Sequence, residues 1–179
     1  MRSDDRFKLE PIWFRFHVEH KWVYKRSVVP KIHRSNQLEF FLKMLRNILA
    51  IVVGIIVATL VNGALITIGY SVIPPPAGAD VSSMEALAAT IHLFEPKNFI
   101  FPFLAHAIGP LVGTLVAMLI AVSNKIKIAI GMAVFFLFGG ILANIWIPAP
   151  MWYHVVDLVF AYVPTALLGA KLGGAGRTS

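Results

Sequence analysis

Three long stretches of the sequence carry no charged side chain. Asp, Glu, Lys and Arg are absent from residues 47–79, 98–124 and 128–156, and two prolines divide the third stretch. A helix needs ~20 apolar residues to cross the hydrocarbon core of a bilayer. The pattern therefore predicts four spans, at about residues 45–73, 98–122, 128–146 and 151–172. The predicted fold class is an all-α four-helix transmembrane bundle.

The composition agrees with a membrane protein and excludes several kinds of chemistry. Of the 179 residues, 58% are hydrophobic and 14% are charged, and the mean hydropathy is +0.74. The chain has no cysteine, which excludes disulfides, thiolate catalysis and cysteine-ligated metals. Gly109 and Gly113 lie inside an apolar span, where they indicate helix packing and not a phosphate-binding loop. The sequence offers Ser123 and Thr165 no general base, and no group to orient such a base, as nucleophilic hydrolysis needs. We therefore predict no enzymatic activity and no cofactor.

Residues 1–44 form a basic arm that is rich in aromatic side chains. Eleven of the 16 Lys and Arg residues lie in residues 1–46, at or before the start of the first span, a placement that argues against nucleic-acid binding. From Phe14 to Tyr24 every second residue is aromatic, aliphatic or His, and this period predicts a short strand or an extended segment. Two interpretations are open. The arm binds anionic lipid headgroups through its cations and rings, or it docks on a partner subunit.

Two capping patterns predict helices next to the spans. Ser35 precedes apolar residues at helical spacing between Leu38 and Leu45, so we predict a helix capped by Ser35 that continues into the first span. Ser82-Ser83-Met84-Glu85 has the pattern of a capping box and predicts a short helix between the first two spans. We expect this helix at the external membrane surface, as an interfacial connector or as a lid over the bundle.

The distribution of Lys and Arg predicts the orientation in the membrane. Residues 1–46 have 11, the connection after the first span has one, the next two turns have two and none, and the C-terminal segment has two. Four spans with both termini in the cytoplasm agree with all of these counts. Because the first apolar run begins near Leu45, we predict that the first span is an uncleaved anchor. Residues 174–179 are predicted to form a flexible tail.

Small residues recur every four positions in the first two spans. The two stripes are Gly54, Ala58 and Asn62 in the first span, and Ala105, Gly109, Gly113, Ala117 and Ala121 in the second. Such stripes let helices approach closely, and Asn62 can hydrogen-bond across the contact. We therefore predict that they pack helices together. Pro110 has no N–H for the carbonyl of His106 and is predicted to kink the second span.

Five polar residues lie in the predicted outer half of the bundle: Asp157, His106, His154, Asn144 and Asn62. Asp157 is the only charged residue deep inside a span, and an intramembrane carboxylate normally faces the bundle interior and has a partner. We expect it within reach of His106 or Asn144. Three interpretations are open. The residues form interhelical hydrogen bonds, they bind a cation, a proton or a polar ligand, or two histidines and the carboxylate bind a metal.

Four stretches of the membrane region resemble a known class of protein. They are residues 106–113, residues 147–153, Asp157-Leu158-Val159 and Ala161-Tyr162-Val163-Pro164. These stretches resemble uncharacterised four-span inner-membrane proteins of bacteria, over about residues 45–175 and without the arm. The resemblance implies a location in the bacterial inner membrane and implies no activity.

The sequence favours a non-enzymatic accessory or assembly subunit of a membrane complex, docked through its arm and its small-residue stripes. The alternative is a small transporter or channel protomer that uses Asp157 and His106, and that forms an oligomer because four helices enclose little space. The expected partners are the lipid bilayer, anionic headgroups at the arm, and protein subunits or further copies of this chain.

Overall fold

The first part of the chain contains a β-hairpin. The computed structural model describes residues 9–18, 21–30 and 34–176, and the chain divides into two units, Met1–Leu42 and Lys43–Ser179. In the first unit, strand β1 covers Leu9–Val18 and strand β2 covers Lys21–Pro30. The strands pair antiparallel, with Leu9 opposite Pro30 and Val18 opposite Lys21. The predicted extended structure is present, but as two strands. A period of two is the same in both strands of a hairpin and does not show where the chain reverses.

Helix α1 covers Arg34–Val72, 39 residues without interruption. Its middle is rich in Val and Ile, which favour strands in water, but a single segment in hydrocarbon satisfies its backbone hydrogen bonds only as a helix. The predicted continuation into the first span is confirmed, whereas Ser35 lies inside the helix and is not its cap. At ~1.5 Å per residue, α1 is ~58 Å long, almost twice the ~30 Å thickness of the hydrocarbon core.

The connection between the first two spans contains short helices. They are α2, Met84–Thr90, and two 3₁₀ turns, Ile91–Leu93 and Pro96–Phe99. The hydroxyl of Ser83 accepts a hydrogen bond from the backbone N–H of Ala86 at 3.1 Å. The cap is therefore Ser83 and not Ser82, where the predicted capping box begins. The side-chain amide of Asn98 donates to the carbonyl of Pro74 at 3.2 Å and so ties the end of the connection to its start.

The remaining helices complete four spans, which confirms the predicted fold class. These helices are α3, Ile100–Ile120, α4, Lys125–Trp146, α5, Met151–Phe160, and α6, Val163–Leu172. Four segments of the described chain are long and apolar enough to cross a membrane: Asn36–Val72, Pro96–Ile120, Lys125–Trp146 and Met151–Leu172. The fourth segment combines α5 and α6, so the span expected to be one helix is interrupted. The protein is an integral membrane protein built as an all-α bundle.

Glycines bring α3 into direct contact with α1. A Cβ on Gly113 would lie 2.5 Å from the carbonyl oxygen of Gly54 and 2.6 Å from the Cβ of Ala58. A Cβ on Gly109 would lie 3.0 Å from the carbonyl oxygen of Ala58. The structure therefore places the small-residue stripes of the first two spans against each other. The alanines of the second stripe are buried as well: Ala105, Ala117 and Ala121.

Polar side chains of α1 bind the end of α3. The last carbonyls of a helix have no donors within the helix. Nε of Arg46 donates to the carbonyl of Ile120 at 2.9 Å. Oδ1 of Asn47 accepts from the N–H of Val122 at 3.2 Å, and its amide donates to the hydroxyl of Ser123 at 2.9 Å. These bonds fix the height of α3 along α1, and with it the height of every side chain that α3 carries.

Gly113→Ala tests the contact between α1 and α3. The added methyl group would meet the backbone of Gly54, so we expect the free energy of unfolding to fall by about 1–3 kcal/mol. Gly131 is the matched control, because a Cβ there would meet no atom within 4 Å. Gly131→Ala should be neutral, or stabilising by up to ~1 kcal/mol through its helix propensity. The measurement is denaturant unfolding of the purified protein in detergent, and equal stability of the two variants would contradict the packing.

Candidate functional site

The fourth span is broken near its midpoint. Ala161 and Tyr162 separate α5 from α6 and belong to neither helix. Pro164 explains the break, because it has no N–H to donate to the carbonyl of Phe160 and its ring collides with that carbonyl. The hydroxyl of Thr165 donates to the carbonyl of Ala161. Backbone groups at membrane depth need such partners, so the break is stabilised by a side chain of α6.

Asp157 lies in the last turn of α5, and its side chain is 0% exposed. Its Oδ1 and Oδ2 lie 2.9 and 3.1 Å from Nδ1 of His106. The hydroxyl of Tyr162 donates to Oδ2 at 2.8 Å, and the hydroxyl of Tyr153 lies 3.5 Å from Oδ1. An ionised carboxylate only accepts hydrogen bonds, so Nδ1 of His106 carries a proton when Asp157 is charged.

Tyr162 reaches Asp157 across the break. Its ring stacks on the imidazole of His106, with ring centroids 5.5 Å apart and an angle of 28° between the planes. A Cβ added to Gly140 of α4 would collide with the Tyr162 ring. Gly140 therefore leaves the space that the tyrosine ring occupies. Asp157, His106 and Tyr162 form a cluster to which α3, α5 and the break each contribute one side chain.

His106 and Asp157 lie at the same depth in the bundle. Each is the seventh residue of its helix, α3 from Ile100 and α5 from Met151. Six steps of ~1.5 Å place each residue ~9 Å from the start of its helix. Helix α3 continues through Pro110 without a break. The equal depth lets the side chains of His106 and Asp157 meet between α3 and α5.

A first cavity lies between this cluster and the connection that contains α2. Its volume is about 100 Å³. Polar side chains in its wall are His106, Asp157, Asn144, Tyr153 and Tyr70. The rest of the wall is apolar and includes Leu87, Ile91 and Phe94. Side chains of the predicted external helix and the turn after it therefore cover the approach to Asp157.

A second cavity lies on the other side of His106, between α1, α3 and α4. Its volume is about 210 Å³. His106 and Tyr162 form part of its wall, together with Thr59 and Asn62 of α1. Small residues of α4, among them Gly139 and Gly140, also line it. His106 is thus a wall residue of both cavities.

The other predicted polar residues lie outside the hydrogen bonds of Asp157. The amide of Asn144 donates to the carbonyl of Gly140 at 2.8 Å, and its side chain lines the first cavity. Asn62 lines the second cavity. Nε2 of His154 is buried and has no hydrogen-bond partner in the described part of the chain. Of the predicted set, the structure brings only His106 to Asp157.

Two tyrosines of the site were not among the predicted residues. Tyr153 precedes Asp157 by four positions, a spacing that places both on one helical face, so the sequence carried a usable signal. Tyr162 follows Asp157 by five positions, and no continuous helix would bring the two together. The only signal for Tyr162 was Pro164, which ends one helix and begins another.

Among the described residues, no group of three His, Asp or Glu side chains can hold a metal ion. His154 does not join His106 and Asp157 in such a set. Comparisons of the chain with protein-family models, curated proteins and solved structures give no match. No residue role is therefore carried over from another protein, and the resemblance to bacterial four-span proteins stays a prediction.

Gly140→Ala tests the position of Tyr162. The methyl group would displace the ring, so we expect a loss of about 1–3 kcal/mol in the free energy of unfolding. The neighbouring Gly139 is the control, since a Cβ there meets no atom within 4 Å. In a Tyr162→Phe background, Gly140→Ala should cost about 1 kcal/mol less, because the hydrogen bond to Asp157 is already absent. Additive effects in this double-mutant cycle would show that Gly140 does not act through the tyrosine hydroxyl.

Proposed function

We propose that this protein is a small membrane transporter or channel protomer that binds a proton or a cation at Asp157 and His106. The observation that carries the proposal is a carboxylate with 0% exposure, paired with a histidine and placed beside a broken span. Ionisable residues inside membranes commonly mark ion and proton pathways. Discontinuous spans recur at the binding sites of transporters.

Structural hydrogen bonding alone is a poor explanation for this carboxylate. Interhelical hydrogen bonds in membrane proteins contribute ~0.6 kcal/mol on average, whereas burial of an ion costs several kcal/mol even after its surroundings relax. An asparagine would keep the shape of the contact without the charge. The cavities on either side of His106 supply space next to the pair, which an interhelical contact does not need.

The proposed orientation places the site in the outer half of a bacterial inner membrane, with both termini in the cytoplasm. The support is the concentration of Lys and Arg before the first span. The basic arm would then lie on the cytoplasmic side, near anionic lipid headgroups. Cavities of about 100 and 210 Å³ are small, so we propose that a complete path forms in a homo-oligomer or after a conformational change.

An accessory subunit is the second candidate function. The observation that favours it is the start of α1, where Leu38, Phe41, Leu42 and Leu45 recur at helical spacing. Each of these side chains is more than half exposed. Such a stripe fits the apolar face of a partner helix. If the protein is an accessory subunit, the hydrogen bonds of the Asp157 cluster would serve to hold the helices of the bundle in one arrangement.

Asp157→Asn tests the proposed site. A ligand that binds only the folded state at ~100 times its Kd adds ~2.7 kcal/mol to the free energy of unfolding. We therefore expect the melting temperature of the parent to depend on pH or on added Na⁺, K⁺ or Mg²⁺. Asparagine keeps the shape and removes the charge, so this dependence should disappear. The measurement is thermal unfolding in detergent, in acidic, neutral and alkaline buffers with each cation.

Asp80→Asn is the control for this experiment. Asp80 is an exposed carboxylate in the connection before α2, so its removal should leave the cation dependence of the parent intact. Hydrogen bonds from Ser82 lower the pKa of Asp80, so the variant should differ from the parent in pH dependence only in acidic buffer. A parent whose melting temperature ignores pH and every cation would refute the proposed site. The same dependence in the parent and in Asp157→Asn would assign it to another group.

Single cysteines test the orientation, because the chain has none of its own. Ala77 and Lys127 are exposed at opposite ends of the bundle, after α1 and in the first turn of α4. In intact bacterial cells, a membrane-impermeant maleimide should label Ala77→Cys, and it should label Lys127→Cys only after the membrane is permeabilised. Labelling of both variants in intact cells would contradict the four-span orientation.

A further inference from the structure

We propose that the ion of this site is a proton, and that His106 is the port through which it reaches Asp157 from both cavities. The inference rests on the proposed function and names the substrate of the same site. It follows from three properties of the cluster: the donors around the buried carboxylate, the greater exposure of His106, and the composition of the two cavity walls.

The carboxylate of Asp157 has no exposed surface at which a metal or an organic cation could bind without moving a neighbouring side chain. Nδ1 of His106 lies within hydrogen-bond distance of both oxygens, and the Tyr162 hydroxyl donates to Oδ2. The side chain is 0% exposed. A cation would have to displace one of these partners and open the bundle. A proton adds to an existing hydrogen bond and needs no additional space.

His106 is the member of the cluster that contacts open space. Its side chain is 21% exposed, whereas the exposed fractions of Tyr153 and Tyr162 are 6% and 5%. Asp157 occupies Nδ1, so Nε2 is the nitrogen available to water. In the part of the chain that the structure describes, Nε2 has no hydrogen-bond partner. Asp157 also lines the first cavity but has no exposed surface, so the proposed route between Asp157 and water runs through this ring.

The imidazole ring forms part of the wall of both cavities. A water molecule needs only ~10–15 Å³ of such volume and two to four polar partners. The cavities, of about 100 and 210 Å³, have room for several waters. Asn144 offers polar groups in the first cavity, and Thr59 and Asn62 offer them in the second. Water on either side of the ring can thus exchange protons with it.

Among the residues that the structure describes, neither cavity wall contains a further carboxylate, lysine or arginine. The other titratable side chains that face the cavities are the hydroxyls of Tyr70, Tyr153 and Tyr162. From α1 and α4 the polar side chains in the walls are Thr59, Asn62 and Asn144, which do not titrate. A metal ion that left Asp157 for the second cavity would find no negative charge there. A proton carried by His106 remains bound at each step.

The transfer balances as two coupled proton movements. A hydronium ion in one cavity gives a proton to Nε2 of His106 and becomes water, while the proton on Nδ1 moves to a carboxylate oxygen of Asp157. The products are a neutral imidazole and a neutral carboxyl group. In the reverse direction the carboxyl proton returns to Nδ1, and Nε2 releases its proton to water in the other cavity. One proton enters, one leaves, and only N–H and O–H bonds form and break.

Proton flux into liposomes tests the inference. The full-length protein is reconstituted in vesicles that contain a pH-sensitive dye, and a potassium gradient with valinomycin drives protons inward. We expect the parent to acidify the lumen faster than protein-free vesicles. His106→Gln keeps a donor for Asp157 but cannot pass a proton through a ring, so flux should fall roughly tenfold or more. His92→Gln changes an exposed histidine outside the spans and should leave the flux unchanged.

A second variant provides a control for folding. His106→Ala vacates the ring position between the cavities, and free imidazole added to the vesicles should restore part of the flux. Restoration would show that the variant is folded and that an imidazole at this place is the missing element. If imidazole restores flux to protein-free vesicles as well, the rescue is nonspecific and counts against the inference.

The outcomes separate this inference from the proposed function. No flux above protein-free vesicles in the parent overturns the proton assignment, whatever the variants do. Flux that persists in folded His106→Gln overturns the role of His106. If either result accompanies a Na⁺- or K⁺-dependent stability that Asp157→Asn removes, the site stands and its ion is that metal. If the parent also shows no dependence on pH or cations, both proposals fail.

Discussion

A carboxylate with no exposed surface inside a membrane bundle constrains every helix around it. Removal from water costs several kcal/mol per ion, and the cost is offset only if the remaining hydrogen-bonding positions are filled with good geometry. Asp157 obtains Nδ1 of His106 from α3 and the Tyr162 hydroxyl from the break between α5 and α6. The hydrogen bonds of Asp157 therefore depend on three features together: the depth of α3, the break in the fourth span, and the glycine that makes room for Tyr162.

Close packing of the helix backbones places the hydrogen-bond donors around Asp157. Small side chains make this close packing possible. Gly54 and Gly113 let α1 and α3 touch through their backbones, and Gly140 lets α4 approach the Tyr162 ring. In hydrocarbon there is no hydrophobic force between helices, so such contacts and interhelical hydrogen bonds supply the attraction. Gly140 and Ala58, small residues of these contacts, also line the second cavity beside His106. Tight packing and the second cavity thus involve the same residues.

The sequence was sufficient to predict the fold class and the pair Asp157 and His106. It was not sufficient to predict contacts that depend on how the helices are rotated and packed. Charge-free runs define spans because hydrocarbon excludes charge, and Asp157 and His106 share a depth that can be counted along the chain. Asn144 and His154 lie in the same predicted half of the bundle, but the direction of a side chain around its helix depends on packing that one sequence does not reveal. Gly139 and Gly140 are neighbours of the same type, and only the structure shows which one meets Tyr162.

The break in the fourth span is what makes Tyr162 a site residue. At ~100° per residue, Tyr153 lies ~40° from Asp157 around a continuous helix, whereas Tyr162 would lie ~140° away, on the opposite face. The break caused by Pro164 removes this difference and brings the hydroxyl to 2.8 Å from Oδ2. Without it that oxygen would keep only its contact with Nδ1 of His106 and would lose a hydrogen bond to a charged group, which contributes about 1.5–3 kcal/mol. The break and the site therefore stabilise each other, and neither is expected without the other.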